Sequence, residues 1–283
     1  MKYLFAFFIL SLSIISFSQK NEIINLWPGK VPGELKEKQL PVMDTPRGDN
    51  VVRIAEVTNP AFEVFLADPS KSNKSAVIVC PGGAYRILAY DKEGTEIAAW
   101  LNKLGYSAFV LQYRIPDKKE GALQDAQRAL RIVRRNAAKW NINPDKIGIM
   151  GFSAGGSLSA RTSILFNKKL YSPVDEADSL SCRPAFAMLI YPAYLDQGAN
   201  RALTPELELT KDTPPIFIFQ TADDQYGNSA LVMAGALRDA KLPVELHILP
   251  FGGHGYGLRP GKPAPETWPV LAEKWLNGIL NSK

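Results

Sequence analysis

Serine, histidine and aspartate can together cleave an acyl bond, and this sequence offers them in an order that fits that use. Gly151-Phe152-Ser153-Ala154-Gly155 reads G-x-S-x-G. A serine held on a tight turn between a strand and a helix presents its Oγ clear of the sheet, and glycines flank it because side chains would clash in so sharp a turn. The context is right: Lys146 to Phe152 is an apolar run of strand type, and Ala154 to Phe166 has helical character. Ser153 then stands at a helix N-terminus, where backbone N–H groups and the helix dipole favour developing negative charge.

An unassisted serine hydroxyl is a weak nucleophile and needs a base, ordinarily an imidazole oriented by a carboxylate. The chain has only two histidines. His247 falls inside a strand-like run, Val244 to Leu249, which suits a structural or surface-facing role. His254 lies beyond that run in Phe251-Gly252-Gly253-His254-Gly255-Tyr256-Gly257, a loop whose glycines leave room for a close approach to Ser153. His254 is therefore the expected general base and, later, general acid. The carboxylate should come between serine and histidine in the chain, and Asp223-Asp224 closes the apolar run Ile216 to Ala222 at that place. Either aspartate fits; Asp224 is the preferred partner, with Asp223 capping the loop through backbone hydrogen bonds. Donors for an oxyanion are expected from Pro81-Gly82-Gly83-Ala84-Tyr85, which follows the first buried strand, and from the residue after the serine.

Positioning these pieces takes a particular frame. Ser75 to Cys80, Tyr106 to Tyr113, Lys146 to Phe152, Phe186 to Tyr191, Ile216 to Gln220 and Val244 to Leu249 read as strands. Between or after them, Thr95 to Leu104, Ala122 to Trp140, Ala154 to Phe166, Ser229 to Ala240 and Trp268 to Leu280 read as helices. Alternation of this kind predicts an α/β fold, a mostly parallel central sheet covered by helices on both faces. Val51 to Val57 and Ala61 to Ala67, joined by Thr58-Asn59-Pro60, predict an antiparallel N-terminal hairpin. Residues 19–49, rich in Pro and Gly around Trp27-Pro28-Gly29, are expected to form an extended surface lead-in to a catalytic domain over 50–283.

Composition narrows the class. At 46% hydrophobic and 22% charged the chain is an ordinary globular protein. Residues 1–18, with Lys2 ahead of an apolar run and small residues before Gln19, predict a secretory signal peptide and an exported, periplasmic or extracellular product. The run falls short of the ~20 residues a spanning helix needs, so no membrane partner is expected after cleavage. Cys80 and Cys182 make no disulfide scaffold, and Cys80 is expected as a small buried hydrophobe. The net charge of +5 is scattered; Arg128, Arg131, Arg134 and Arg135 share one predicted helix, and a solvated face, not a nucleic-acid stripe, is the expectation. The His and Cys spacing offers no metal site, and no cofactor-binding fingerprint occurs.

Taken together, Pro81-Gly82-Gly83-Ala84-Tyr85, Asp125-Ala126-Gln127-Arg128-Ala129, Gly151-Phe152-Ser153-Ala154-Gly155-Gly156, Asp223-Asp224 and Gly253-His254-Gly255 resemble the α/β-hydrolase esterases related to acetyl xylan and feruloyl esterases. The resemblance runs from about Asn50 to the C-terminus, and it implies an α/β-hydrolase fold. It also implies oxyanion donation by the amides of Gly83, Ala84 and Ala154, and supports Asp224 as the triad acid. Pro81 stands where related enzymes carry histidine and Ala84 where a third glycine is common, and backbone donation survives both changes. The implied substrate is an acylated carbohydrate or other small ester, with Tyr85, Tyr226 and Tyr256 expected to offer stacking surfaces to sugar rings. A peptidase of the prolyl-oligopeptidase kind would need a propeller-sized region ahead of residue 50, and a non-catalytic carbohydrate-binding protein would not need Ser153, His254 and the aspartates all present. Glycosidic cleavage, which takes a pair of flanking carboxylates, has no comparable support.

Overall fold

Short apolar runs closed by Gly or Pro become strands, and the amphipathic stretches between them become helices. The computed structural model describes residues 21–281, so the predicted signal segment 1–18 lies outside the described residues. In chain order the strands are β1 (Ile23–Asn25), β2 (Val42–Met43), β3 (Arg53–Glu56), β4 (Ala61–Phe65), β5 (Ala76–Cys80) and β6 (Leu88–Ala89). They continue with β7 (Ser107–Gln112), β8 (Ile147–Phe152), β9 (Ala187–Ile190), β10 (Ile216–Thr221) and β11 (Val244–Leu249). The helices are α1 (Glu96–Lys103), α2 (Lys119–Arg135), α3 (Ala154–Ile164), α4 (Asn228–Asp239) and α5 (Pro263–Asn281). Helix α5 begins ahead of the expected Trp268 because Pro263 and Pro265 are compatible with a first helical turn although they read as breakers.

Eight strands form one sheet in the order β1-β4-β7-β5-β8-β9-β10-β11, parallel from β7 to β11 and antiparallel where β4 meets β7 and β1 meets β4. The antiparallel hairpin at the N-terminal side is β2 with β3. The two runs expected to pair with each other instead lie in different sheets, β3 between β2 and β6 and β4 between β1 and β7, with Thr58-Asn59-Pro60 carrying the chain across. Alternate residues of the central strands feed two cores: Ile78 and Cys80 of β5 join Leu130, Leu158 and Met233 on one face, while Val77 and Val79 join Leu101, Trp268 and Trp275 on the other.

Residues 21–49 are less peripheral than expected. Leu26 and Trp27 are fully buried, and Val31 nearly so. The cause is Asp125 of α2, whose carboxylate accepts the Trp27 indole N–H at 2.8 Å and holds Arg114 through Nε and Nη2 at 2.9 Å each. Arg114 donates onward to the carbonyls of Pro32 and Gly121. A buried carboxylate needs this many donors, and supplying them draws the lead-in onto the domain. Of the α2 arginines only Arg135 is on a solvated face, paired with the exposed Glu176. Arg128 is 1% exposed and paired with Asp175 and Asp178, while Arg131 and Arg134 donate to the carbonyls of Leu180, Ser181 and Arg183. Both cysteines are buried and unbonded, and burial pushes the Cys80 thiol up to about 12.

Asp125→Ala would leave Arg114 charged, buried and unpaired, at a cost of about 3–5 kcal/mol. Urea unfolding should show that loss; a change under about 1 kcal/mol would mean that the cluster does not hold the lead-in.

Candidate active site

Three strand ends on one edge of the parallel sheet supply the chemical groups, as open α/β sheets generally do. Ser153 follows β8 directly and is the N-cap of α3, with φ 53° and ψ −117°, a backbone strain of about 1–3 kcal/mol. The turn is possible only because its flanks carry no side chains. A Cβ on Gly151 would sit 1.9 Å from the Gly155 carbonyl oxygen, and one on Gly155 would sit 2.0 Å from that of Cys80.

His254 Nε2 lies 2.7 Å from Ser153 Oγ, and His254 Nδ1 lies 2.6 Å from Asp224 Oδ2. The Asp224 side chain is fully buried, and its other oxygen accepts the Tyr226 amide at 2.9 Å. An ionised Asp224 accepts the Nδ1 proton, which leaves Nε2 as the lone-pair site facing the serine hydroxyl. Asp223 does separate work. Its carboxylate accepts the amides of Gly252 and Gly253 at 3.2 and 2.9 Å, and these same bonds, Gly253's the stronger, hold it below the usual carboxylate range. One aspartate thus faces the imidazole and its neighbour shapes the loop that delivers it. His247 is elsewhere, on edge strand β11, with its ring against Phe217 and Nε2 paired to Glu245.

The loop after β5 runs through three successive positive φ values, 134° at Gly83, 58° at Ala84 and 59° at Tyr85. Among the described residues the amides of Gly83, Ala84 and Ala154 donate to no protein acceptor. Gly83, Ala84, Ser153 and His254 all line one open cleft of about 530 Å³. Tyr226 is on its wall, half-buried. Tyr85 and Tyr256 are not: they are 1% and 5% exposed. The left-handed backbone of Tyr85 turns its ring into the core against Tyr113, and Tyr256 packs on Tyr191 at 4.4 Å, so neither presents a face to a sugar.

The cleft also contains residues that motif reasoning missed. Tyr194, after β9, stands edge-on to Tyr226 at 5.5 Å, and Arg47, Arg53, Arg86 and Lys92 line the rim. Arg47 and Arg53 pair with Asp44 and Asp49, whereas Arg86 and Lys92 have no ion pair among the described residues. Proximity to the Pro81–Tyr85 loop was the one available signal for Arg86 and Lys92. Among the described residues no group of three or more His, Cys, Asp or Glu side chains is placed to hold a metal ion.

The tightness of the turn has a measurable consequence. Gly155→Ala should destabilise by about 1–3 kcal/mol in urea unfolding because backbone must move. Gly235→Ala, on α4 with nothing within 4 Å of its Cβ, should stabilise by about 0.5–1 kcal/mol. Equal effects at the two sites would contradict this account.

Comparison with known proteins places this geometry in a family. Residues 62–188 match the BD-FAE family. The solved acetyl ester-xyloside bifunctional hydrolase of Caldicellulosiruptor lactoaceticus is 32% identical, with a TM-score of 0.73 over 92% of this chain and 97% of that one. An acetylxylan esterase of Xylanibacter ruminicola is 32% identical over 216 residues, 67% of this chain. Endo-1,4-beta-xylanase B of Butyrivibrio fibrisolvens is 32% identical over 208 residues, 64% of this chain. The chain spans 42% and 32% of the length of these two curated relatives. A strand-to-helix serine turn on a mostly parallel sheet, with these relatives, identifies the chain as a member of the α/β-hydrolase esterases related to acetyl xylan esterases.

Proposed function

We propose that this protein is a serine carboxylester hydrolase that removes acetyl groups from xylan or a related plant polysaccharide or oligosaccharide. The observation that carries the proposal is the continuous chain from Ser153 Oγ through His254 to the buried Asp224, at 2.7 and 2.6 Å, opening on a cleft beside unpaired amides. Ser153 Oγ attacks the acetyl carbonyl carbon while His254 Nε2 takes its proton. The tetrahedral oxyanion is received by the amides of Gly83, Ala84 and Ala154, each worth roughly 3 kcal/mol in such a site. Asp224 stabilises the imidazolium, which then protonates the departing sugar oxygen and leaves an acetyl-enzyme. Water, deprotonated by the same imidazole, releases acetate and restores Ser153.

Acetylated sugar is favoured as substrate by the names of the relatives, one an acetyl ester-xyloside hydrolase and one an acetylxylan esterase. The rings of Tyr194 and Tyr226 on the cleft wall are apolar surfaces with polar tips, suited to a sugar ring. Export directed by residues 1–18 would bring the enzyme to a polymer that cannot enter the cell, and no helix among the described residues is long and apolar enough to cross a membrane.

The test is acetate release from acetylated xylan and turnover of p-nitrophenyl acetate. Ser153→Ala should lower kcat at least about 10⁴-fold and Asp224→Asn about 10³–10⁴-fold, whereas Asp223→Asn should cost under about tenfold. Full activity of Ser153→Ala would overturn the mechanism. Turnover of the aryl ester without release of acetate from the polymer or its oligosaccharides would overturn the substrate.

A further inference from the structure

We propose that Glu93 is a positioning residue of this site, coupling the loop that offers the oxyanion amides to the loop that carries His254. The proposal rests on the acyl-transfer reading of Ser153. Glu93 lies in a single π-helical turn, Asp91–Thr95, ahead of α1, and is 4% exposed. Its Oε2 accepts the Gly82 amide at 2.7 Å, and its Oε1 accepts the Tyr191 hydroxyl at 2.8 Å. The Tyr191 oxygen in turn accepts the Gly257 amide at 3.0 Å, and the Tyr191 ring stands edge-on to His254 with centroids 5.0 Å apart. A line of hydrogen bonds therefore runs from the oxyanion loop through Glu93 and Tyr191 into the histidine loop, independent of the Ser153–His254–Asp224 line.

The chemistry of the group argues for more than filling space. Among the described residues Glu93 has no ion-pair partner, and a carboxylate buried without a cation is costly to keep. Burial pushes its carboxyl above the usual range, against the pull of the Tyr191 and Gly82 hydrogen bonds. Both of its partners are donors that an acceptor-only carboxylate satisfies at once; an amide or an alkyl group cannot. The packing leaves little slack. A Cβ on Gly82 would meet Glu93 Oε2 at 2.6 Å and Ser153 Cβ at 2.9 Å, so carboxylate, loop and nucleophile are stacked in one column. Oxyanion donors act only within a few tenths of an ångström of where charge develops, and a displacement of about 1 Å can cost about 10²-fold.

The experiment compares Glu93→Leu, Glu93→Gln, Tyr191→Phe and the Glu93→Gln/Tyr191→Phe double variant. Rates on p-nitrophenyl acetate are taken per active site, counted by fluorophosphonate labelling of Ser153. Glu93→Leu should lower kcat about 10²-fold and Tyr191→Phe about tenfold, with KM changed less than about threefold, because the lost alignment matters in the transition state. Affinity for a trifluoromethyl ketone, which forms a tetrahedral adduct with the serine, should fall in step with kcat. Since both residues belong to one link, the double variant should lose less than the product of its single losses. Tyr191→Phe keeps the ring against His254 and carries the test if Glu93→Leu does not fold. Values of kcat per labelled site within about threefold of wild type in Tyr191→Phe and Glu93→Gln, or a loss confined to KM, would overturn the proposal. An inactive Ser153→Ala beside wild-type-like Glu93 and Tyr191 variants would sink this inference alone, while an active Ser153→Ala would sink the acyl-transfer reading beneath it.

Discussion

Gly155 sets the first turn of α3 so close to the end of β5 that a methyl group would fall 2.0 Å from the Cys80 carbonyl oxygen, and the rest of the site follows from that approach. It forces the chain at Ser153 into a left-handed turn and lifts the hydroxyl off the sheet edge. It also sets the turn at Ser153 against the end of β5, the strand whose following loop carries the Gly83 and Ala84 amides, which like that of Ala154 donate to no protein acceptor among the described residues. Backbone donors held this way are rigid without side-chain ordering, which is what stabilisation of a developing oxyanion requires.

The remaining groups reach Ser153 from strands farther along the same edge. Asp223 and Asp224 are chemically identical and adjacent, yet they have different tasks because successive side chains at a strand end point in different directions. Asp223 remains exposed and gathers the amides of the histidine loop; Asp224 is buried and faces the imidazole. Tyr191 and Tyr226 enclose that imidazole at 5.0 and 4.9 Å, limiting its rotation while leaving Nε2 toward the serine.

Beneath the site, buried polar clusters hold together parts of the chain that apolar packing alone would leave loose. Asp125 joins Trp27, Arg114 and α2, and Arg128, one turn further along that helix, ties in Asp175, Asp178 and the Leu26 carbonyl. Glu93 has the corresponding place beside Ser153. In each case the buried charge is satisfied by partners distant in sequence, so these clusters set tertiary geometry more than local structure.

Much of this was readable from residue order. Period and punctuation revealed the parallel strands and their helices, and the local glycine pattern marked Ser153 and His254, because turn sterics and strand burial act over a few neighbouring residues. The roles of Trp27 and the α2 arginines, the separate sheets of β3 and β4, and the burial of Tyr85 and Tyr256 were not readable. Nor were Tyr194, Arg86, Lys92 and Glu93, which have no motif of their own. Their surroundings come from segments tens of residues away, as when Glu93 and Tyr191 meet across 98 positions. The sequence by itself determined the fold class and the residues capable of the chemistry, since those rest on local sterics and hydrophobic period. Which aspartate faces the histidine, which tyrosines line the cleft and which carboxylate accepts the Gly82 amide were decided only by the tertiary structure, because burial and hydrogen-bond partnership are properties of chain segments brought together.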